Sequence, residues 1–322
     1  MTATRITHLE PALGLRVQGE YTLTQAETRS TQSGDPFKVL KLVDYTGSLR
    51  VYAWENSGLL NRVSATAPIS VHATLYVRRL QNKTIANLQE FRVLEASEVT
   101  NAAAMQCLDT CPAGAHASLG KLVDFVDTLQ PEPLCAFLNR VLLDPRIAPT
   151  LTTCKGSQKH HHRESGGLLT HSVEAMEIAG DMARSRLSPL EQSITQVAAL
   201  LHDLGKLRSV GSGAARPVHY LLASHESQTM RLLDPHLEWL RTCAPDIAAG
   251  LEYTLSFLAL PPSGRGQAHF LAGELIIAAD HMSAALQNHR RLEDLLAKTL
   301  PPQKERTSLH SHPGHWRASL PN

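Results

Sequence analysis

The sequence predicts an α+β multidomain chain, with a small β-barrel over roughly the first hundred residues and an all-helical bundle after it. Two observations carry this. From about Leu13 to Leu94 the apolar residues come in short runs rich in Val, Leu, Thr and Tyr, punctuated by turn residues, whereas beyond residue 113 they recur at helical spacing. The length of 322 residues then leaves room for two domains, each able to bury its own core.

The clearest β element is a hairpin. Residues 36–44 and 48–54 form two strands joined by a tight turn at Tyr45-Thr46-Gly47. Two further strands are expected over 69–79 and 84–94, joined at Gln81-Asn82-Lys83, with a short helix over 55–63 between the pairs. Five strands with a helix between the third and fourth match the order of an OB-like barrel, a fold that commonly binds oligonucleotides on one face. On strand 48–54 side chains alternate, so Leu49, Val51 and Ala53 point one way and Arg50, Tyr52 and Trp54 the other. A basic residue interleaved with two aromatics is the composition that stacks bases and holds a phosphate backbone. The alternative reading is that Tyr52 and Trp54 cover the barrel end or a domain interface.

The small-residue stretch at Thr100-Asn-Ala-Ala-Ala104, ending in Cys111-Pro-Ala-Gly114, marks the boundary. This divides the chain into an OB-like nucleic-acid-binding domain over 11–97, a linker over 98–112, a helical domain over 113–300 and a flexible tail over 301–322. Leu119, Leu122, Val123, Val126 and Leu129 space a first helix before Pro131. Ser188-Pro-Leu-Glu191 is a helix start, with Ser as N-cap, Pro at the first position and Glu closing a capping box. That helix delivers His202-Asp203 at its end, before Gly205.

A formal net charge of +1 excludes a global basic excess, so any nucleic-acid contact must come from a local patch. Five scattered cysteines with no CxxC pair argue against a disulfide framework or a zinc ribbon. No apolar segment at the start suggests a signal peptide and no run approaches a membrane span, so the expectation is a cytoplasmic protein without membrane contact.

The strongest chemical signal is Leu200-Leu-His202-Asp203-Leu-Gly205-Lys206. A His beside an Asp offers one neutral nitrogen and one anionic oxygen, a mixed set that suits a divalent ion such as Mn, Fe, Mg, Co or Zn. It follows Gly166-Gly-Leu-Leu-Thr-His171 and precedes Ala278-Ala-Asp280 on a long helix from 271 to about 300. Upstream lies His160-His161-His162-Arg163, of which one or two His with Arg163 are expected to contact substrate phosphate, unless the segment is an exposed polar loop. Lys206 would offset phosphate charge or simply complete a helix terminus. Ser224 would cap a helix with His225 in its first turn, while His219 reads as a packing residue.

The order His, His-Asp, distant Asp resembles the HD metal-dependent phosphohydrolase superfamily. That resemblance implies metal ligands at His171, His202, Asp203 and Asp280, catalytic roles for Asp203, Lys206 and His225, and a role for His225 as second-metal ligand or general acid. Together with the barrel hairpin, His161-His162, Gly166-Gly167 and Ser224-His-Glu226, the chain resembles the YhaM-type bacterial 3′-to-5′ exoribonucleases over most of its length. A metal-dependent nuclease on single-stranded RNA or DNA is implied, with substrate contacts at His161, His162, Arg163, Arg50, Tyr52 and Trp54. The His-rich pattern is also similar to HD-type relaxase domains of conjugative elements. One departure stands out: where the family carries Leu-Ser-His-His-Gly, this chain has Phe257 and Leu258. The alternatives are a nucleotide phosphohydrolase with a regulatory barrel, or a nonhydrolytic nucleic-acid-binding protein. Oligomeric state is left open.

Overall fold

The computed structural model describes residues 4–9, 12–54, 68–158, 162–211, 223–268 and 270–299. The short helix expected over 55–63, the tail over 301–322, and His160, His161 and His219 lie outside the described residues.

An N-terminal closed barrel of five strands precedes a largely helical region. The strands are β1 (Arg16–Ser30), β2 (Pro36–Asp44), β3 (Gly47–Trp54), β4 (Ile69–Leu80) and β5 (Lys83–Val93), and they close in the order β1-β2-β3-β5-β4. β1 is long enough to pair with β2 at its C-terminal half and β4 at its N-terminal half, with an irregularity between Leu23 and Gln25 that lets it turn from one partner to the other. The parallel pairing of β3 with β5 completes the closure and leaves no free edge. Strict alternation fills the interior with Leu40, Leu42, Leu49, Val51, Val71 and Leu75, each contributing roughly 1.5–3 kcal/mol by leaving water. Tyr21 is buried with them, and its hydroxyl donates to the Thr4 carbonyl at 2.8 Å.

Residues 98–112, read from the sequence as a linker, are packed rather than free. Ala102, Ala103, Ala104 and Met105 are buried in the same apolar cluster as the helices. Asn139 accepts from the Ala102 amide at 2.8 Å and donates to the Val99 and Thr100 carbonyls at 3.2 Å. On the barrel side, Glu20 accepts from the amide and hydroxyl of Thr100, Thr22 donates to the Met105 carbonyl, and Lys41 pairs with Asp109 at 2.8 Å. A chain of small residues fits where a bulky one would not, because both neighbours approach its backbone.

The helical region comprises α1 (His116–Thr128), α2 (Glu132–Leu143), α3 (Ala148–Leu151), α4 (Gly167–Ala183), α5 (Pro189–Leu201), α6 (Lys206–Ser209), α7 (His225–Cys243), α8 (Pro245–Ala259), α9 (Pro262–Ala268) and α10 (Leu271–Thr299). The capping box at Ser188 is formed, with Glu191 bonded back to the Ser188 amide at 2.9 Å. α4, α5 and α10 pack together through Leu168, Val173, Val197, Leu201, Ile276 and Ala279, which fixes the helix faces from which the site is built. No described helix is long and apolar enough to cross a membrane. The five cysteines are free thiols.

Candidate metal centre

Three places in the helical region supply the polar groups. α4 carries His171 in its second turn; α5 ends at Leu201, so that His202 and Asp203 occupy the turn beyond it; and α10 carries Asp280. One ligand atom from each of the four lies within 4.8 Å of the others. His171 Nε2 is 3.2 Å from Asp203 Oδ2 and 3.1 Å from Asp280 Oδ1, while His202 Nε2 is 3.4 Å and 3.9 Å from the same two oxygens.

Backbone shape brings the remaining parts in. A Cβ on Gly205 would meet the His225 carbonyl oxygen at 1.9 Å, so glycine after the His-Asp turn is what lets the start of α7 lie against it. Ser224 caps α7 by accepting from Ser227 N, and His225 Nε2 reaches Asp203 Oδ1 at 3.2 Å. Gly167 plays the corresponding part at α4, where a Cβ would overlap the His162 carbonyl. Lys206 Nζ bonds directly to Asp203 Oδ2.

The rings are oriented from behind. His202 Nδ1 lies 2.7 Å from the Ala199 carbonyl, which can only accept, so the proton sits on Nδ1 and the Nε2 lone pair faces the carboxylates. The Ser283 hydroxyl donates to Glu174 Oε2 at 2.9 Å, and its oxygen accepts from His171 Nδ1 at 3.1 Å. Such backing groups set the tautomer and basicity of a ligating imidazole.

Electrostatics describe a site that calls for a cation. Burial raises the cost of ionising Asp203, 2% exposed, yet the His202, His171, His225 and Lys206 groups around it hold its carboxyl well below the usual range. Asp280 behaves alike: burial opposes ionisation, and the hydrogen bond from His171, with the His202 ring beside it, outweighs that. His171 is fully buried, which alone would lower its pKa, but Asp203 and Asp280 push it up to about 9. The decisive detail is His202 Nε2, a buried nitrogen with no hydrogen-bond partner that faces two ionised carboxylates. In the metal-free site a proton on His171 Nε2 balances the charge in part; a divalent cation would take that proton's place and fits the whole set, two imidazole nitrogens and two carboxylate oxygens.

The other sequence candidates fall in different places. His162 is 1% exposed; instead of facing a substrate it lies against the His171 ring at 5.3 Å, with Nε2 3.3 Å from Ser283 Oγ and 3.5 Å from Glu174 Oε2. Arg163 is exposed and is not among the described residues lining the cleft beside the ligands. Arg50, Tyr52 and Trp54 are on the barrel's outer face, away from its packed interior. Phe257 is buried against Phe270, and Leu258 forms part of the cleft wall. Sequence reading missed Glu174 and Ser283. Their signal was helical spacing, since Glu174 is three residues after His171 and Ser283 three after Asp280.

Residues 168–253 match the family model of the HD domain. With its four-ligand cluster the chain is thus a metal-dependent phosphohydrolase with an N-terminal barrel. No curated protein matches the chain. Among solved structures, the second OB-fold domain of replication protein A from Methanococcus maripaludis is similar at 19% identity and a TM-score of 0.22, covering 26% of this chain and 87% of that one.

Proposed function

We propose that the protein hydrolyses phosphodiester bonds in single-stranded nucleic acid, as a 3′-to-5′ exoribonuclease-like enzyme whose barrel holds the strand. The observation that carries this is the outer face of β2 and β3. Phe37, Tyr52 and Trp54 lie side by side there, Phe37 stacked on Trp54 at 5.0 Å and Tyr52 on Trp54 at 6.1 Å. Beside them a groove of about 350 Å³ is lined by Arg29, Lys41, Arg50 and Lys83 against Glu27. Aromatic faces with a basic track suit bases and phosphates in sequence-tolerant binding.

In the helical region His171, His202, Asp203 and Asp280 would hold a divalent ion, which would supply Lewis-acid polarisation of a phosphoryl oxygen and activation of water. Lys206, bonded to Asp203 Oδ2, joins His202, His171 and His225 in keeping that carboxylate ionised. His225, with its side chain 39% exposed, has its pKa raised first by the Asp203 hydrogen bond, against a smaller opposing effect of burial, and so holds a proton to give to a leaving oxygen. The cleft at this point is about 260 Å³, a size that suits a single terminal nucleotide. That same size favours a second reading, a hydrolase of free nucleotides with the barrel as regulator.

The test is incubation of Mn-loaded protein with 3′-labelled and 5′-labelled single-stranded RNA and DNA, with free nucleotides in parallel. Progressive loss from the 3′ end supports the nuclease. Turnover of mononucleotides that is indifferent to added oligonucleotide selects the second reading, and intact labels with intact nucleotides sink both.

A further inference from the structure

The cleft beside the ligand cluster has a wall that the four ligands do not explain. It is made by Leu258 at the end of α8, Arg265 on α9, and Ile276 and His281 among others on α10. The carboxylates that line the cleft already have basic partners. Asp203 contacts His171, His202, His225 and Lys206; Asp280 contacts His171 and His202; and Glu226 lies 3.3 Å from His225 Nε2. Arg265 makes no ion pair among the described residues.

Its guanidinium is nevertheless held in place. One Nη donates to the Leu258 carbonyl, while Nε is buried and has no acceptor among the described residues. Nε is enclosed, so the groups of this cleft-lining guanidinium that can meet an incoming acceptor are its Nη N–H groups, which no carboxylate among the described residues neutralises. A guanidinium presents N–H groups as a planar fork that matches two oxygens of a phosphate, which a lysine cannot do. The apolar residues that share this wall of the cleft, Leu258 and Ile276, bring no side-chain acceptor to it.

We propose that Arg265 binds the phosphate group of the substrate, as a specific anchor in the cleft that Lys206 and His225 also line. The assignment deepens the hydrolase reading and rests on it for the nature of the ligand, a nucleotide phosphate. The Leu258 carbonyl fixes the fork, and the free N–H groups receive the phosphate oxygens. An arginine suits this task because it stays charged at every working pH.

The probe is uridine 5′-monophosphate, titrated calorimetrically into wild type, Arg265→Gln and Arg265→Lys in both metal-free and Mn-loaded forms. Each protein is checked for Mn content and thermal unfolding. Arg265→Gln is expected to weaken binding at least about tenfold, the weight of a charge-assisted hydrogen bond, with Arg265→Lys losing less and Mn stoichiometry unchanged. Equal affinity of wild type and Arg265→Gln overturns the assignment, as does a wild type that does not bind the nucleotide. If Arg265→Gln unfolds or loses metal, Arg265→Lys decides: weaker nucleotide binding with Mn retained supports the anchor, and equal binding refutes it. Protein that binds the nucleotide through Arg265 yet cleaves no phosphoester removes the hydrolase reading and leaves the anchor standing.

Discussion

On β3 of the barrel Leu49, Val51 and Ala53 are buried and Arg50 is exposed, while on α4 and α10 the buried residues include His171 and Ser283. The barrel thus keeps its chemistry outside an apolar core, and the helical region takes its chemistry inside. On the proposed function, the difference follows from what each would hold. A nucleic-acid strand is long and wet and is met at a surface, whereas a divalent ion needs converging oxygen and nitrogen atoms shielded from competing water. Side chains on the barrel face should therefore be replaceable at a cost to binding alone. Those around the ion are tied to helix packing, and their replacement should disturb the site as a whole.

The sharpest way to break this contrast is Asp203→Asn. It removes the charge that His171, His202, His225 and Lys206 all face, while keeping the shape of the side chain. Loss of Mn binding and of hydrolysis by a factor of roughly a thousand or more is expected, given that a metal ion is worth several kcal/mol to the transition state. Oligonucleotide affinity measured by fluorescence anisotropy should stay near wild type. A parallel fall in oligonucleotide affinity would mean that the two regions do not work separately.

Next in size is Ser283→Ala. The hydroxyl links Glu174 to His171 Nδ1, and without it the ring loses the group that fixes its tautomer. Groups of this kind change metal affinity by about 10–100-fold. Calorimetric Mn titration of the metal-free protein should show that loss with no change in the unfolding of the barrel. Unaltered affinity would show that helix packing alone orients His171.

On the barrel, Trp54→Ala and Tyr52→Ala each remove a stacking face. Each should weaken single-stranded oligonucleotide binding by about 1–3 kcal/mol while Mn content stays constant. Trp54 also donates to Asn87 Oδ1 at 3.3 Å across to β5, so Tyr52→Ala is the cleaner of the two. If neither changes affinity, the aromatics close the barrel surface and the strand is held elsewhere.

The two regions were also unequally legible in the sequence. The barrel strands could be read because alternation is local: each of Leu49, Val51 and Ala53 announces its side by its neighbour. His202, Asp203 and their capping and turn residues were legible for the same reason, as Ser188, Pro189, Glu191 and Gly205 act within a few residues. Ser283 and Glu174 were not, because the bond that joins them spans 109 positions and depends on how α4 and α10 cross. His162 was misjudged by its neighbours: a run of histidines looks exposed, and the fold buries this one behind His171. Residues 98–112 looked like a linker because small residues resemble one, yet smallness there serves close packing against Asn139 and the barrel.

The smallest predicted effect concerns a buried carboxylate that the chemistry does not use. Asp144, after α2, accepts from the Arg146 amide at 2.7 Å, from its guanidinium, and from His236 Nε2 at 2.7 Å on α7. Burial opposes its ionisation, but these donors prevail and lower its pKa to about 2. A carboxylate whose folded pKa lies below its unfolded value of about 3.9 binds fewer protons when folded. Its contribution to stability is therefore present above about pH 4 and is lost as pH falls toward 2. Thermal unfolding of wild type should decline over that interval more steeply than that of Asp144→Asn, followed by a probe of the helical region such as Trp239 fluorescence, with the two curves drawing together at the acid end. Parallel curves would mean that the Arg146 and His236 contacts do not outlast unfolding differences elsewhere. The barrel, whose interior is dominated by alternating apolar side chains, should be the less acid-sensitive of the two regions.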